Sequence, residues 1–203
     1  KMEKMTKRLE SGIGSCVGAD GAIFAIRKKL YRPLKGYDLN DLVIPLNVIK
    51  SGFRGGLDED AFCVEDTAGS GKGEFNRQVR ITVRTLRAIF NNVSLLNPIK
   101  YGLFSFEVFS HKVLRLTAPF FLLALFMANA ALIFEGPLYA IVFSAQSVFY
   151  ISALIECAGA GLSLTKKLFS VSYTFSTVNA AILWGWVKYL KGETFVTWSP
   201  TKR

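Results

Sequence analysis

Acidic side chains nearly disappear after Lys112. Only Glu135, Glu156 and Glu193 follow, whereas every aspartate and the remaining glutamates lie before His111. The chain therefore divides into a charged, polar first part and an apolar second part, the pattern of a domain attached to a membrane region. Leu116 to Phe134, Leu138 to Ala160 and Phe169 to Leu190 are nearly uncharged runs of spanning length, and Trp184, Trp186 and Tyr189 gather near one end of the third like an interfacial aromatic belt. Residues 99–112 mix aromatic and charged side chains, which suits a helix lying in the interface plane. Lys112 and Arg115 before the first run, and Lys166 and Lys167 between the second and third, point to the cytoplasmic face. Three full spans then put the basic tail, Trp198 to Arg203, on the opposite side, against the same rule.

The 203 residues carry a net charge of +10, with hydrophobic residues making up 51%. The basic residues are dispersed, which argues against nucleic acid and for an anionic lipid surface or phosphorylated substrates. Cys16, Cys63 and Cys157 are odd in number and lack metal spacing, so neither a disulfide framework nor a zinc site is expected. The single histidine, His111, reads as an interfacial structural residue. The opening Lys-Met-Glu-Lys-Met reads as the middle of a longer chain, with an N-terminal portion expected upstream.

Local pattern predicts a helix over Lys1 to Ser11, a glycine-rich turn at Cys16 to Gly21, and a short apolar strand through Ala22 to Ile26. Asp38 to Asp41 suit a helix start, with Pro45 in its first turn. Phe53 to Asp60 reads as an edge strand and turn, and 61–65 as extended. Thr67 to Gly73 reads as a flexible loop. From Glu74 an amphipathic helix follows. Phe75, Val79, Val83, Leu86, Ile89 and Phe90 lie on one face, and Arg77, Arg80, Arg84 and Arg87 beside them. Asn97-Pro98 ends it.

Three patterns are set aside. Asp58-Glu59-Asp60 spells a metal-diphosphate motif but reads as a solvated turn. Gly69-Ser70-Gly71-Lys72-Gly73 lacks the spacing of a phosphate loop. Glu156 stands at the end of an apolar run, near the interface.

The remaining constellation is ordered: Gly18-Ala19-Asp20-Gly21-Ala22, then Asn40-Asp41, then Arg77-Gln78-Val79-Arg80-Ile81, then apolar runs. In this order the chain resembles family 2 glycosyltransferases of the GT-A type, the membrane polysaccharide synthases related to cellulose, chitin and hyaluronan synthases. The segment from Gly18 to Tyr31 looks like that family's acceptor-side loop and strand. Asn40-Asp41 looks like its acidic general-base motif, and Arg77 to Ile81 sits where its Gln-x-x-Arg-Trp motif belongs. The stretches from His111 to Pro119 and from Val196 to Arg203 look like the ends of its membrane region. Asn40 replaces the usual acidic residue, Arg77 the glutamine and Ile81 the acceptor-stacking tryptophan.

The resemblance implies an α/β fold over 1–97, the acceptor-side half of a GT-A domain. An interfacial helix over 98–112 and an all-α transmembrane region over 113–203 would follow. It implies an inverting transferase that moves a sugar from a nucleotide-sugar, a UDP-sugar, to a polysaccharide or glycolipid acceptor at the membrane. The membrane would be the plasma (inner) membrane, with the catalytic domain cytoplasmic. Asp41 becomes the general base, Gly18, Asp20 and Gly21 acceptor contacts, and Arg77 and Arg80 ligands of the diphosphate or the acceptor. Mg²⁺ or Mn²⁺ is expected on ligands upstream of residue 1, so these residues alone are not expected to be active. Residue by residue, Asp41 also reads as a helix cap, Asp20 as an Asx turn, and the arginines as a lipid-facing surface. Two other readings stand beside this one: a polyprenyl-phosphate sugar transferase and a non-catalytic membrane docking subunit.

Overall fold

A computed structural model describes residues 2–64, 71–158 and 166–196. Its elements are α1 (Met2–Ile13), α2 (Asn40–Lys50), α3 (Gly71–Phe90), α4 (Pro98–Tyr101), α5 (Leu103–Val108), a π-helical turn (Phe109–Val113), α6 (Leu114–Ala131), α7 (Pro137–Cys157) and α8 (Lys166–Leu190). Among the described residues there is no strand and no sheet. The α/β expectation for the first part is therefore wrong: the chain is built of helices and connecting loops. Ala22 to Ile26 has strand composition, but a strand needs a partner to share its hydrogen bonds. The segment's two flanks meet other loops through isolated contacts, such as Cys16 N–H to the Gly55 carbonyl at 2.9 Å, and no ladder develops. Residues 67–70 of the expected glycine-rich loop, and the tail 197–203, lie outside the described residues. Gly71 and Gly73 open α3.

α3 organises the fold. Its apolar stripe, Val79, Val83, Leu86 and Ile89, is buried as its period requires. One side meets α2, α5 and the loop at Val17, where Val17, Leu42, Val43, Leu46, Ala88, Leu95, Phe104 and Val108 close a core. The other side receives α8. The helices approach so closely at Gly185 that an added methyl would overlap the side chain of Thr82. Phe90 stacks on Tyr189 at 5.3 Å and meets Trp186 edge-on at 6.2 Å. Trp186 donates to the Leu116 carbonyl at 2.8 Å, tying α8 to α6. This tryptophan belongs to a helix junction, where an aromatic belt had been expected.

Among the described residues two helices are long and apolar enough to cross a membrane: the continuous helix Leu103–Ala131 and α7, Pro137–Cys157. α8, expected as a third, is broken up by Ser170, Ser172, Thr174, Ser176, Thr177 and Asn179. It packs along α3 and α7, and its Ser172 hydroxyl meets that of Ser152 at 2.8 Å in the buried contact with α7.

α2 carries an internal proline. The helix starts at Asn40, so Pro45 lies past the first turn rather than within it. Proline has no N–H, so the carbonyl four residues back loses its helical donor. That carbonyl is Asp41's, and it accepts instead from Ala19 N–H at 2.7 Å. The glycine-rich turn is thereby docked on the start of α2. The approach is close: a Cβ at Gly18 would stand 3.4 Å from the Asp41 carbonyl oxygen, an ordinary van der Waals contact. Pro45→Ala supplies the missing donor and sets it in competition with Ala19. Amide exchange at Ala19, read by mass spectrometry or NMR in detergent, is expected to speed up while α2 stays helical. Unchanged exchange would show that the turn is held elsewhere.

Candidate functional site

Asp41 is the second residue of α2, and the cap position is Leu39, which makes no side-chain cap. The amide of Asp41 is satisfied by the Asn40 Oδ1 at 2.9 Å. The Asp41 carboxylate thus does not serve as the helix cap. Its Oδ1 is buried and has no hydrogen-bond partner among the described residues, a condition that native interiors rarely tolerate without a reason. Gly21 comes close to the other oxygen: a Cβ there would lie 3.4 Å from Oδ2.

The carboxylate faces a cavity of about 320 Å³ between α1, the glycine-rich turn, the start of α2 and the π-helical turn. Its ionisable lining is Lys7 and Glu10 from α1, Asp41, and His111, Lys112 and Arg115 from the helix Leu103–Ala131. The π-helical turn spanning Phe109–Val113 adds a residue to the helix there, a distortion found often at functional sites. His111 Nδ1 pairs with Glu10 Oε1, and Glu10 also accepts from Val17 N–H at 3.2 Å. His111, expected as an interfacial structural residue, is paired instead with Glu10 of α1.

Burial pushes the Asp41 carboxyl above the usual aspartate range, against the pull of Lys112, its own backbone, Lys7 and Arg84. Desolvation penalises the charged form.

The other predicted site residues are distributed as follows. Gly18 lines this cavity and also a larger neighbour of about 740 Å³. Asp20 lines only the larger one, and its Oδ1 accepts from Ala22 N–H at 3.1 Å, an Asx turn. Arg77 and Arg80 line neither cavity. Arg77 is held by Glu74 at 3.0 Å. Burial and the neighbouring Arg84 and Arg77 guanidiniums push Arg80 below the usual arginine range. Arg84, which the amphipathic pattern assigned to lipid, donates to the carbonyls of Gly36, Tyr37 and Asp38, each at 3.0 Å. Arg87 lies 4.9 Å from the centre of the Tyr37 ring. The structure thus brings Asp41, Gly18 and Gly21 together and leaves Asp20, Arg77 and Arg80 apart from them.

Lys7, Glu10, Lys112 and Arg115 were not singled out as site residues from sequence. The available signal was His111-Lys112-x-x-Arg115, two cations a turn apart beside the one histidine, which had been read only as a topology marker.

Among the described residues no group of three or more His, Cys, Asp or Glu side chains comes together as a metal site. In the Asp58-Glu59-Asp60 turn, Asp58 accepts from Asp60 N–H at 3.1 Å and Glu59 pairs with Arg8 at 3.0 Å. The resemblance places the ligands of Mg²⁺ or Mn²⁺ upstream of residue 1, so this arrangement does not bear on that ion. The chain has no significant match to any protein-family model, any curated protein or any solved structure.

The raised Asp41 pKa has a consequence for stability. As pH rises, the unfolded chain releases this proton first and the folded chain only at the higher value, so stability is lost across that interval. Asp41→Asn removes the ionisable group. The variant is expected to melt above the native protein at neutral pH, and the gap should close as pH falls below the ordinary aspartate value. A neutral-pH melting point below the native one would mean that the ionised carboxylate stabilises the fold.

Proposed function

We propose that this chain carries the acceptor side of an inverting glycosyltransferase at a membrane surface. Asp41 takes the proton from an acceptor hydroxyl as that oxygen attacks the anomeric carbon of a nucleotide-activated sugar, a UDP-sugar by the resemblance. The observation that carries this reading is Asp41 itself, a half-buried carboxylate with one unpartnered oxygen, lining a cavity beside the helix Leu103–Ala131. A general base needs a free acceptor oxygen, a place for the hydroxyl, and a pKa moved toward the working pH. Asp41 meets the first two by geometry, and burial supplies the third.

Gly18 and Gly21 contribute space in this scheme rather than side-chain contacts. Of the two arginines proposed for the leaving diphosphate, Arg77 is held by Glu74. Arg80 makes no hydrogen bond or ion pair within the described residues, so it is the candidate for that role. The Mg²⁺ or Mn²⁺ implied by the resemblance has no ligand set here, and none of these roles runs through it. By the same resemblance the acceptor is a polysaccharide or glycolipid, and the site lies on the cytoplasmic side of the plasma (inner) membrane.

A docking subunit would leave Asp41 in open solvent and spread the arginines over a convex surface. The half-buried Asp41 favours the transferase over a docking subunit, whereas the convergence of Asp20, Arg77 and Arg80 with Asp41 that a transferase cleft calls for is not found among the described residues.

The test is UDP release by the full-length protein in membranes, across a panel of UDP-sugars. Asp41→Asn is expected to lose about a hundredfold or more. In the native protein the acid limb of the rate should lie above the ordinary aspartate value, because the base works only once its raised pKa is passed. Equal turnover by native protein and variant would overturn the assignment of Asp41.

A further inference from the structure

Residues 23–26, the Ile-Phe-Ala-Ile stretch after the glycine-rich turn, form one wall of the larger cavity of about 740 Å³. Pro45 and Val48 of α2 and Leu57 of a separate loop line it as well. The stretch has strand composition, and exposure alternates along it: Ile23 and Ala25 are exposed, Phe24 and Ile26 half-buried. None of its backbone N–H or C=O groups makes a hydrogen bond with any described residue.

A small polar molecule is gripped by convergent side-chain donors and acceptors, but the two carboxylates that line this cavity serve their own turns. Asp20 accepts from Ala22 N–H and Asp58 from Asp60 N–H, each at 3.1 Å. What the wall offers instead is free main-chain groups and alternating apolar side chains, and these are what an added β-strand takes up. Charge sets the character of that strand. Arg27 and Arg54 line the cavity and are exposed, and their guanidiniums form no hydrogen bond or ion pair among the described residues. Lys28 and Lys29 are exposed beside Arg27. Lys7 lines the cavity too, but is not free.

We infer that an acidic, extended peptide segment of a partner protein docks in this cavity and adds as a strand along residues 23–26. Its apolar side chains enter beside Phe24 and Ile26, and its carboxylates meet Arg27 and Arg54. The segment has no ladder within this chain, and the partner supplies the missing edge. The docking is separate from the chemistry assigned to Asp41, which does not line this cavity.

The probe is a synthetic peptide of about eight residues, an ordinary strand length, alternating glutamate with valine. It is titrated into the full-length protein in dodecyl maltoside micelles, and amide exchange at residues 23–26 is followed by NMR. Before addition these amides are expected to exchange as fast as an open loop. With peptide bound, exchange at alternate residues should slow about tenfold or more, because a strand edge presents every second N–H to its partner. A lysine–valine peptide of the same length should bind about tenfold more weakly, for want of two exposed ion pairs. The double variant Arg27→Glu, Arg54→Glu should reverse that preference, a gain of binding that misfolding does not produce. Amides already protected in the free protein would overturn the proposal, since the chain itself would then fill the edge. So would slowing of every amide alike, slowing of none, or equal binding of the two peptides. A double variant that melts like the native protein and keeps the native preference would overturn the acidic partner.

Discussion

The missing N–H of Pro45 shapes the start of α2. It leaves the Asp41 carbonyl without a helical donor, and Ala19 answers it at 2.7 Å. One backbone vacancy thus adds a hydrogen bond between two stretches of chain that share no sheet but already meet in the core through Val17, Leu42, Val43 and Leu46. Arg84 completes the arrangement from the other side. Its guanidinium gathers the three carbonyls of Gly36 to Asp38 just before α2 and so fixes the helix start against α3. Charge-assisted bonds of this kind are among the stronger polar contacts available to a chain.

Given that frame, the Asp41 side chain is placed by its backbone rather than by partners of its own. Its Oδ1 has no hydrogen-bond partner among the described residues, and the nearby turn residue Gly21 has no side chain to supply one. The helix that enters the membrane region closes the cavity, and its π-helical turn carries both His111, which pins α1, and Lys112, which does not touch a carboxylate. The same helix is therefore long and apolar enough to cross a membrane and also forms a wall of the site.

Much of the helical layout was legible in sequence. The period of Val79, Val83, Leu86 and Ile89 announces α3, and the apolar runs announce α6 and α7. The strand expected at Ala22 to Ile26 was not realised. Composition sets a strand's suitability, but only a partner across the chain makes it one. α8 has the length of a span, but its serines and threonines interrupt the apolar run. Within the site, Asp41, Gly18 and Gly21 were found by motif order. Arg84 was misassigned to lipid, because an amphipathic pattern says which face is charged and not which carbonyls wait beside it. Lys112 was missed for a similar reason: charges at the head of an apolar helix are read first as topology.

The central claim is that Asp41 and Lys112 face each other across one cavity, on elements far apart in the chain. The direct measurement is cross-linking of a cysteine pair at positions 41 and 112, with the native cysteines replaced, by a short bifunctional thiol reagent in native membranes. A cysteine pair at 41 and 77 serves as the control, since Arg77 lines neither cavity. The account predicts rapid, near-complete linkage of 41 to 112 and little of 41 to 77. Linkage of 41 to 112 no faster than the control would contradict it.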